Sequence, residues 1–285
     1  MAISVVCDAT GIGQLPTRTP FKAFVDGRLR RWLPTPWYWR FRAWRQGQFE
    51  GEMRLLPLLC DRSRTSIDVG ASIGAYTVHL LLNSARCWAF EPRPRAAGYL
   101  AGSLTTRRDP RLRVEAVALS DRCGEARLRV ALDDAGRSTV EEANAMEDVG
   151  EYAELRVPAR RLDDYGRLVG PVGFIKVDVE GHEEAVLRGA AGVLARDRPA
   201  LLVEVEERHK PGAITAVRKL LGEFGYRGYF FRDRLLHRIE SFSAEAYQDV
   251  ARIGEKIHGE LAYVNNFVFL AGRSLARMRH LVGEA

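Results

Sequence analysis

Acidic and basic side chains crowd one short stretch of the sequence, "GFIKVDVEGHEEAVLRGA" at residues 173–190. An apolar strand pattern ends there at Asp178, and His182 follows where a helical pattern begins. Glu204 ends the next apolar strand along the chain, in "LLVEV". Because open α/β sheets bind ligands beyond the carboxyl ends of their strands, we expect these three side chains to face one ligand site.

Their residue types suit the removal of a proton from a hydroxyl group. The ordinary pKa of histidine is near neutral, so His182 is a candidate general base. Asp178 and Glu204 can face the same hydroxyl or share a divalent cation such as Mg²⁺, which prefers carboxylate oxygens. The candidate catalytic residues are therefore His182, Asp178 and Glu204, and the last two are also the candidate metal ligands.

Each residue of this stretch also has a structural interpretation. Asp178 can cap the helix that follows it, and His182 can tie the loop to the backbone. Glu180 and Glu183 lie near a helix N-terminus, where the helix dipole alone favours acids. Lys176 shares a strand face with Asp178, and an ion pair with a neighbouring carboxylate is favoured over a catalytic lysine.

A glycine-containing loop follows an earlier strand, in "IDVGASIGAYT" at residues 67–77. Its D-x-G-x-x-x-G pattern consists of Asp68, Gly70 and Gly74, and Ser72 adds a hydroxyl within the loop. This is not the G-x-G-x-x-G of a diphosphate binder, so a ligand without a diphosphate, such as S-adenosylmethionine (SAM), is favoured. Glu91 ends the second strand in "FEP", where a carboxylate accepts hydrogen bonds from two ribose hydroxyls. The alternative is a plain glycine turn with a surface glutamate.

Apolar strands and helices alternate along the chain. The main strand patterns are "TSIDVG", "RCWAFEP", "LRVEAVALSD", "GFIKVDV" and "PALLVEVEE". Their spacing predicts an α/β fold with a doubly wound, mostly parallel sheet. A β-hairpin insertion with a polar tip is predicted from "EARLRVAL" and "AELRVPARRL", and one long helix from "HEEAVLRGAAGVLARD".

Charge divides the 285-residue chain into two parts. Residues 1–48 hold eight Lys or Arg against two Asp or Glu, and four of the five tryptophans. Residues 49–285 are neutral overall and form the predicted domain. The N-terminal basic, aromatic arm either packs over the sheet edge or contacts the acceptor or an anionic membrane surface, where Trp beside Arg is favoured.

The four cysteines form no C-x-x-C pair, which indicates a reducing compartment. No window approaches the ~18 apolar residues of a membrane span, and the N-terminus lacks a charged region typical of a signal peptide. We expect a cytoplasmic protein, with peripheral membrane contact through the arm left open.

Six motifs occur in the order and spacing of the FkbM-type methyltransferase family, which the chain resembles over about residues 50–270. They are "IDVGASIGAYT", "FEPRP", "VALSDRCGEARL", "RLDDY", "FIKVDVEGHEEAVLRGA" and "RPALLVEVEE". The resemblance implies a class I, Rossmann-like methyltransferase with a seven-stranded sheet that uses SAM, usually for O-methylation. Acceptors in the family are hydroxyls of sugars, glycans, glycolipids or polyketide-type secondary metabolites.

The resemblance also implies which residues bind the cofactor. It places Asp68, Gly70 and Gly74 under the methionine portion of SAM, and it places Glu91 at the ribose. Ser72 stands where the family usually has asparagine, and it still offers a hydroxyl. The remaining implied cofactor residues are Asp178 and, near the adenine, Ser120 and Asp121, the last of which is equally well explained as a turn former.

Other functional classes were weighed against a methyltransferase. A nicotinamide-dependent oxidoreductase lacks support, because G-x-G-x-x-G and a Tyr-x-x-x-Lys pair are both missing. A non-catalytic nucleotide-binding module predicts loss of the glycine loop or of Asp178, and both remain. The neutral domain and the missing base-flipping motif argue against nucleic acid as a partner. The expected partner is a small-molecule, glycan or lipid-linked acceptor, and a homo-oligomer stays open.

Overall fold

The computed structural model of the chain describes residues 51–283, except for 106–108, 133–136, 147–149 and 258–259. The predicted N-terminal arm, residues 1–48, lies outside the described residues. Within the described part of the chain, no helix is long and apolar enough to cross a membrane.

Short strands and helices alternate along the described residues. The strands are β1 (Thr65–Val69), β2 (Arg86–Phe90), β3 (Leu112–Glu115), β4 (Ala118–Leu119), β5 (Gly124–Ala131), β6 (Ser138–Thr139), β7 (Tyr152–Arg160), β8 (Val172–Val177), β9 (Ala200–Glu204), β10 (Arg227–Arg232), β11 (Leu235–Arg238), β12 (Lys256–Ile257), β13 (Glu260–Leu261) and β14 (Asn266–Leu270). The α-helices are α1 (Leu56–Leu59), α2 (Ala75–Asn83), α3 (Pro94–Thr105), α4 (Gly166–Val169), α5 (Glu183–Arg188), α6 (Ala191–Asp197), α7 (Ala213–Glu223), α8 (Ala244–Tyr247) and α9 (Arg273–Met278). Single 3₁₀ turns cover Gly51–Leu55, Leu162–Tyr165, Ile239–Ser241, Val250–Arg252 and Arg279–Leu281.

Eight strands form one large sheet in the order β3-β2-β1-β8-β9-β14-β10-β11. The first five run parallel, while β14 and β11 pair antiparallel with their neighbours. The predicted α/β fold with a mostly parallel sheet is confirmed, but the sheet has eight strands where seven were expected. The additional strand, β11, follows a tight turn at Asp233 and Arg234, which both have positive φ. Such turns usually carry Asn or Gly, so no local signal indicates this hairpin.

A second sheet of four strands, here called the insertion sheet, has the order β4-β7-β5-β6. The antiparallel pairing of β5 with β7 confirms the predicted hairpin insertion. The expected third strand, "LRVEAVALSD", is in fact two strands in different sheets. β3 forms the edge of the large sheet, and the chain then turns away so that β4 pairs with β7. The insertion sheet is thereby anchored beside the carboxyl ends of β1 and β2.

The predicted long helix after β8 is interrupted, and α5 and α6 are separate. Gly189 packs so closely on the backbone of Ser120 that an added Cβ would lie 1.9 Å from the Ser120 carbonyl oxygen. Asp163 donates its N–H to the Gly189 carbonyl and accepts the N–H groups of Gly192 and Val193 through its carboxylate. The Asp163 carboxylate thus satisfies the first amides of α6, and the chain changes direction between the two helices.

Apolar side chains cover both faces of the large sheet. β1, β8 and β14 are buried along their whole length, as expected for central strands with helices on either side. Ile67 and Ile175 belong to the core of one face, and Phe174 and Leu202 to the core of the other. Lys176, the next residue on the Phe174 face, is buried as completely as its apolar neighbours. A charged residue therefore sits within the framework that positions the site.

Candidate active site

A cavity of about 310 Å³ opens at the carboxyl ends of β1, β2, β8 and β9. The strand ends and the loops after them contribute Gly70, Ser72, Glu91, Asp178, Glu180 and Glu204 to its lining. The insertion sheet and its loops contribute Leu119, Leu128, Arg137, Ser138 and Val140. The cavity is thus polar along the sheet edge and partly apolar along the insertion, a combination typical of small-molecule sites.

The glycine loop brings the ends of β1 and β8 into contact. Gly70 has a φ of 80°, and a Cβ there would lie 1.8 Å from the Asp178 carbonyl oxygen, so only glycine fits. Ser72 also has a positive φ, 48°, and both residues line the cavity. Gly74 begins α2 with a φ of 88° but lies outside the lining. Gly74 shapes the loop without bordering the cavity.

Asp68 stabilises the glycine loop through a contact between β1 and α2. Its carboxylate is buried and accepts a hydrogen bond from Thr77 Oγ1 of α2. Burial raises its pKa to about 6, although this hydrogen bond and the charge of Lys176 oppose the rise. Asp68 does not line the cavity, contrary to its expected role as a cofactor ligand, because the side chain of this position points into the packing between β1 and α2.

Glu91 borders the cavity with a carboxylate that is already hydrogen-bonded. Ser72 N–H donates to Oε2 at 2.7 Å, and Arg93 N–H donates to Oε1 at 2.9 Å. The Arg93 guanidinium adds bonds of 2.7 Å to Oε1 and 3.2 Å to Oε2. A carboxylate offers about four lone-pair positions, and these four donors occupy them. A ribose diol at Glu91 therefore has to replace the guanidinium.

Asp178 and Glu204 also line the cavity and lie close together, as predicted. Lys176 Nζ lies between them, 3.8 Å from Asp178 Oδ2 and 3.4 Å from Glu204 Oε2. Asn265 donates to Glu204 Oε1 at 2.6 Å. Burial and the neighbouring Asp178 raise the pKa of Glu204 well above its ordinary value, and Lys176 opposes this rise.

The candidate divalent metal site at Asp178 and Glu204 does not fit these residues. Among the described residues, no group of three or more His, Cys, Asp or Glu side chains is arranged to hold a metal ion. Asp178 and Glu204 converge, but the Lys176 ammonium lies between their oxygens. An ammonium and a divalent cation compete for the same oxygens, so we assign no metal to this site.

Glu180 is a cavity residue that sequence analysis did not select. It has a φ of 54°, which strains a non-glycine residue and is common at functional sites. Thr139 Oγ1 and Asn144 Nδ2 donate to its carbonyl oxygen at 2.8 Å and 2.9 Å. Its carboxylate lies 2.9 Å from His209 Nε2, and burial raises its pKa. The insertion therefore holds Glu180, a residue of the cavity lining, in a strained conformation.

His182 does not line the cavity, so the structure does not place it as the general base. Its Nε2 lies 3.0 Å from Ser120 Oγ, and its Nδ1 lies 3.1 Å from Glu141 Oε2. Burial lowers its pKa, although the hydrogen bond to Glu141 opposes this shift. Ser120 also contacts Asp121, and neither borders the cavity, contrary to their expected adenine contact. His182 instead ties the loop after β8 to two residues beside the insertion sheet, Ser120 after β4 and Glu141 after β6.

The structure thus brings together some of the predicted residues and separates others. Gly70, Ser72, Glu91, Asp178 and Glu204 line one cavity. The positive φ of Glu180 and of Gly181, 103°, turns the chain so that Glu180 faces the cavity and His182 faces away. In the sequence, the adjacent Glu180 and Gly181 were the signal that could have indicated this turn. The insertion residues around Arg137 carried no signal, because their contribution depends on how the two sheets pack.

Solved structures with related architecture include three methyl-transferring proteins. One is methyltransferase FkbM from Methylobacillus flagellatus KT, with 18% identity and a TM-score of 0.47 over 73% of this chain and 44% of that protein. An rRNA methylase from Streptococcus thermophilus has 11% identity and a TM-score of 0.40 over 77% of this chain and 92% of that one. A SAM-dependent methyltransferase from Aquifex aeolicus has 14% identity and a TM-score of 0.39 over 79% and 91%. The chain thus spans less than half the length of the first of these proteins.

Comparison at the level of sequence identifies the family. A search of curated protein sequences found no match. The family described as the methyltransferase FkbM domain, in contrast, matches residues 68–227, which is more than half of the chain. This range begins at Asp68 and includes every residue that lines the cavity. The chain therefore belongs to the FkbM family of methyltransferases.

Proposed function

We propose that this protein is a SAM-dependent O-methyltransferase acting on a hydroxyl of a sugar, glycan, glycolipid or polyketide-type secondary metabolite. One observation carries the proposal. A single cavity is lined both by the glycine loop with Glu91 and by three acidic residues, Asp178, Glu180 and Glu204. The first set, here called the nucleoside end, suits a nucleoside with a ribose diol, and the second set, here called the acceptor end, suits a hydroxyl that must lose a proton.

The residues at the nucleoside end fit the cofactor's chemistry. The close approach of Gly70 and Ser72 to the cavity exposes backbone to a ligand, as in other nucleotide sites at this sheet edge. Glu91 can accept both ribose hydroxyls once the Arg93 guanidinium has swung away, while the N–H of Ser72 continues to orient the carboxylate. The apolar side chains of Val117, Leu119 and neighbouring residues offer a surface for a flat base.

Bound SAM would supply a methyl group on its sulfonium sulfur for in-line transfer to an acceptor oxygen, and the thioether would be the leaving group. The protein's task is then to align the acceptor and accept its proton, and alignment is a large part of such catalysis. Asp178 and Glu204 are fixed by Lys176 and Asn265, so they can orient an acceptor hydroxyl. We therefore assign them to acceptor binding.

Glu180 is the proposed proton acceptor in place of His182. Glu180 lines the cavity, and burial raises the pKa of its carboxyl group, which makes it a stronger base than an exposed glutamate. His209 holds Oε2 of this carboxylate, which leaves Oε1 for the acceptor hydroxyl. The pKa of His209 is itself raised: burial lowers it, but the hydrogen bond to Glu180 and the charges of Glu180 and Glu206 outweigh burial.

Label transfer tests the proposed reaction. The protein would be incubated with SAM carrying a ¹³C-methyl group and with a panel of simple glycosides, glycolipids and polyketide alcohols. We expect a ¹³C signal of an O-methyl group in one class of acceptor, with equimolar S-adenosylhomocysteine (SAH). Label found only on nitrogen or carbon would contradict O-methylation, and the panel member that accepts label would define the acceptor class.

A further inference from the structure

Lys176 is a buried cation at the acceptor end of the cavity. Its side chain is 1% exposed, and its Nζ lies 2.9 Å from Asn266 Oδ1, in addition to its contacts with Asp178 and Glu204. The ring of Tyr76 faces Nζ with its centroid 4.9 Å away, which is a cation–π distance. Side chains from β9, β14, α2 and the end of β8 itself therefore surround the ammonium.

Four carboxyl groups lie in the surroundings of Lys176. Asp68 lies opposite Lys176 on the neighbouring strand β1, and Asp178 and Glu204 contact its Nζ. Glu180 adds a further carboxylate whose charge acts on Glu204. Two carboxylates and an amide oxygen, from Asp178, Glu204 and Asn266, are oxygen donors of the kind that hard divalent cations select.

Fold stability alone does not account for a lysine at this position. Taking an ion pair out of water costs several kcal/mol per ion, and apolar residues of similar volume often serve stability as well or better. Neighbouring core positions of the same strand face, such as Phe174, are apolar. A lysine among converging oxygens therefore indicates that a positive charge is needed there.

We propose that the Lys176 ammonium is the resident cation of the acceptor site, and that it holds Asp178 and Glu204 where a divalent metal would otherwise bridge them. This inference rests on the proposed function, and under it methyl transfer in this protein needs no metal ion. Lys176 is a positioning residue: it orients the two carboxylates that bind the acceptor, and is itself covered by them.

Metal binding by the whole chain tests this proposal without any acceptor. Metal-free wild type and Lys176→Ala would be titrated with Mn²⁺ by calorimetry, with the Mn²⁺ signal followed by electron paramagnetic resonance. We expect no site-specific Mn²⁺ binding by wild type. Lys176→Ala should bind one Mn²⁺ per chain at least about tenfold more tightly, because it exposes two carboxylates and an amide oxygen without a competing charge. Mn²⁺ should also raise the melting temperature of this variant only.

Two further variants identify the cause of any binding. Lys176→Arg keeps a positive charge at this position, so it should take up no Mn²⁺. Lys176→Ala combined with Asp178→Asn should lose the acquired site. Uptake by Lys176→Arg as tight as that by Lys176→Ala, or a folded Lys176→Ala that takes up none, would overturn the proposal.

If Lys176→Ala does not fold, Mn²⁺ binding by the wild type tests the proposal instead. Wild-type Mn²⁺ binding that is abolished by Glu204→Gln would show that the carboxylates hold a metal beside the lysine, and would overturn it. Equal, non-specific Mn²⁺ binding by the wild type and by Glu204→Gln would support the proposal. SAH titration of the same wild-type sample separates this result from the proposed function, since failure to bind SAH refutes the function and leaves the Mn²⁺ result unaffected.

Discussion

At the scale of residues, the site depends on which carboxylates face the cavity and which cations hold them. Asp178 and Glu204 share Lys176, while Glu180 pairs with His209. In both groups the cationic side chain holds carboxylate oxygens in a fixed position. Under the proposed function, the first pair binds the acceptor and Glu180 accepts its proton, and conservative variants can test this division.

Glu180→Gln should lower the turnover of an identified acceptor by about 10²–10⁴-fold, the usual contribution of a general base. SAH affinity should change little, because Glu180 lies at the acceptor end of the cavity. His182→Gln is the matched comparison, since its ring contacts Ser120 and Glu141 away from the cavity. Steady-state kinetics of both variants decides whether Glu180 or His182 is the general base. A large loss in His182→Gln with a small loss in Glu180→Gln would restore His182 as the base.

Glu183 predicts a pH dependence of stability. Burial raises its pKa to about 7 from 4.5, although the N–H of Gly181 donates to its carboxylate. The folded state therefore holds a proton that the unfolded state releases, so this stability is present below about pH 4.5 and is lost as the pH rises through 7. The loss amounts to at most about 3 kcal/mol.

Urea unfolding at about pH 5 and about pH 8 measures this effect. Wild type should lose free energy of unfolding relative to Glu183→Gln as the pH rises, because glutamine does not titrate. A difference between the two proteins that stays constant across this range would contradict the assignment.

The positions of residues at the cavity were predictable from sequence where strand ends alone decide them. Glu91, Asp178 and Glu204 follow apolar strands, and the carboxyl ends of parallel strands necessarily meet at one edge. Their roles stay predictions. The positions of His182 and Asp121 outside the cavity lining were not predictable, because the turns of the loops after the strands depend on tertiary contacts. Burial of Asp68 beneath α2 likewise depends on helix packing, which local pattern does not specify.

At the scale of elements, the break between α5 and α6 couples the large sheet to the insertion sheet. Periodicity predicted one helix, because the apolar positions keep their spacing across the break. The interruption arises from a tertiary contact, in which Gly189 packs on Ser120 at the end of β4. The hairpin of β5 and β7 was predictable, in contrast, because alternation along each strand is a local property.

Gly189→Ala should destabilise the protein by about 1–3 kcal/mol, the usual cost of forcing an extra carbon into a packed region. Its Cβ would lie 1.9 Å from a backbone oxygen, which cannot move as a side chain would. Gly222→Ala is the control, because a Cβ at this position in α7 meets nothing within 4 Å. There alanine should stabilise the helix by up to about 1 kcal/mol. Thermal unfolding of both variants checks the contrast, and equal effects would contradict it.

At the scale of the whole molecule, the cavity is built by residues 69–204, well inside the family match. The basic arm of residues 1–48 lies before this region and outside the described residues. Its charge and tryptophans still suit acceptor or membrane contact, so cofactor binding and acceptor binding should separate along the chain.

Deletion of residues 1–45 should leave SAH affinity within a few fold and abolish methylation of a glycan or lipid-linked acceptor. Calorimetry and a label-transfer assay measure the two effects. Co-sedimentation of the intact protein with anionic vesicles at low and high salt tests membrane contact. A truncated protein that methylates its acceptor normally would restrict the arm to a packing role.

Calorimetric titration of the intact protein with SAH, beside NAD⁺, tests the central claim most directly. The protein should bind SAH in one site per chain and show no NAD⁺ binding. Glu91→Gln should weaken SAH binding by about 1.5–3 kcal/mol, the value of a charge-assisted hydrogen bond, whereas Glu115→Gln at the end of β3, outside the cavity lining, should not. Binding of NAD⁺ in preference to SAH, or SAH binding that Glu91→Gln leaves unchanged, would contradict the assignment of this cavity as the site of a SAM-dependent methyltransferase.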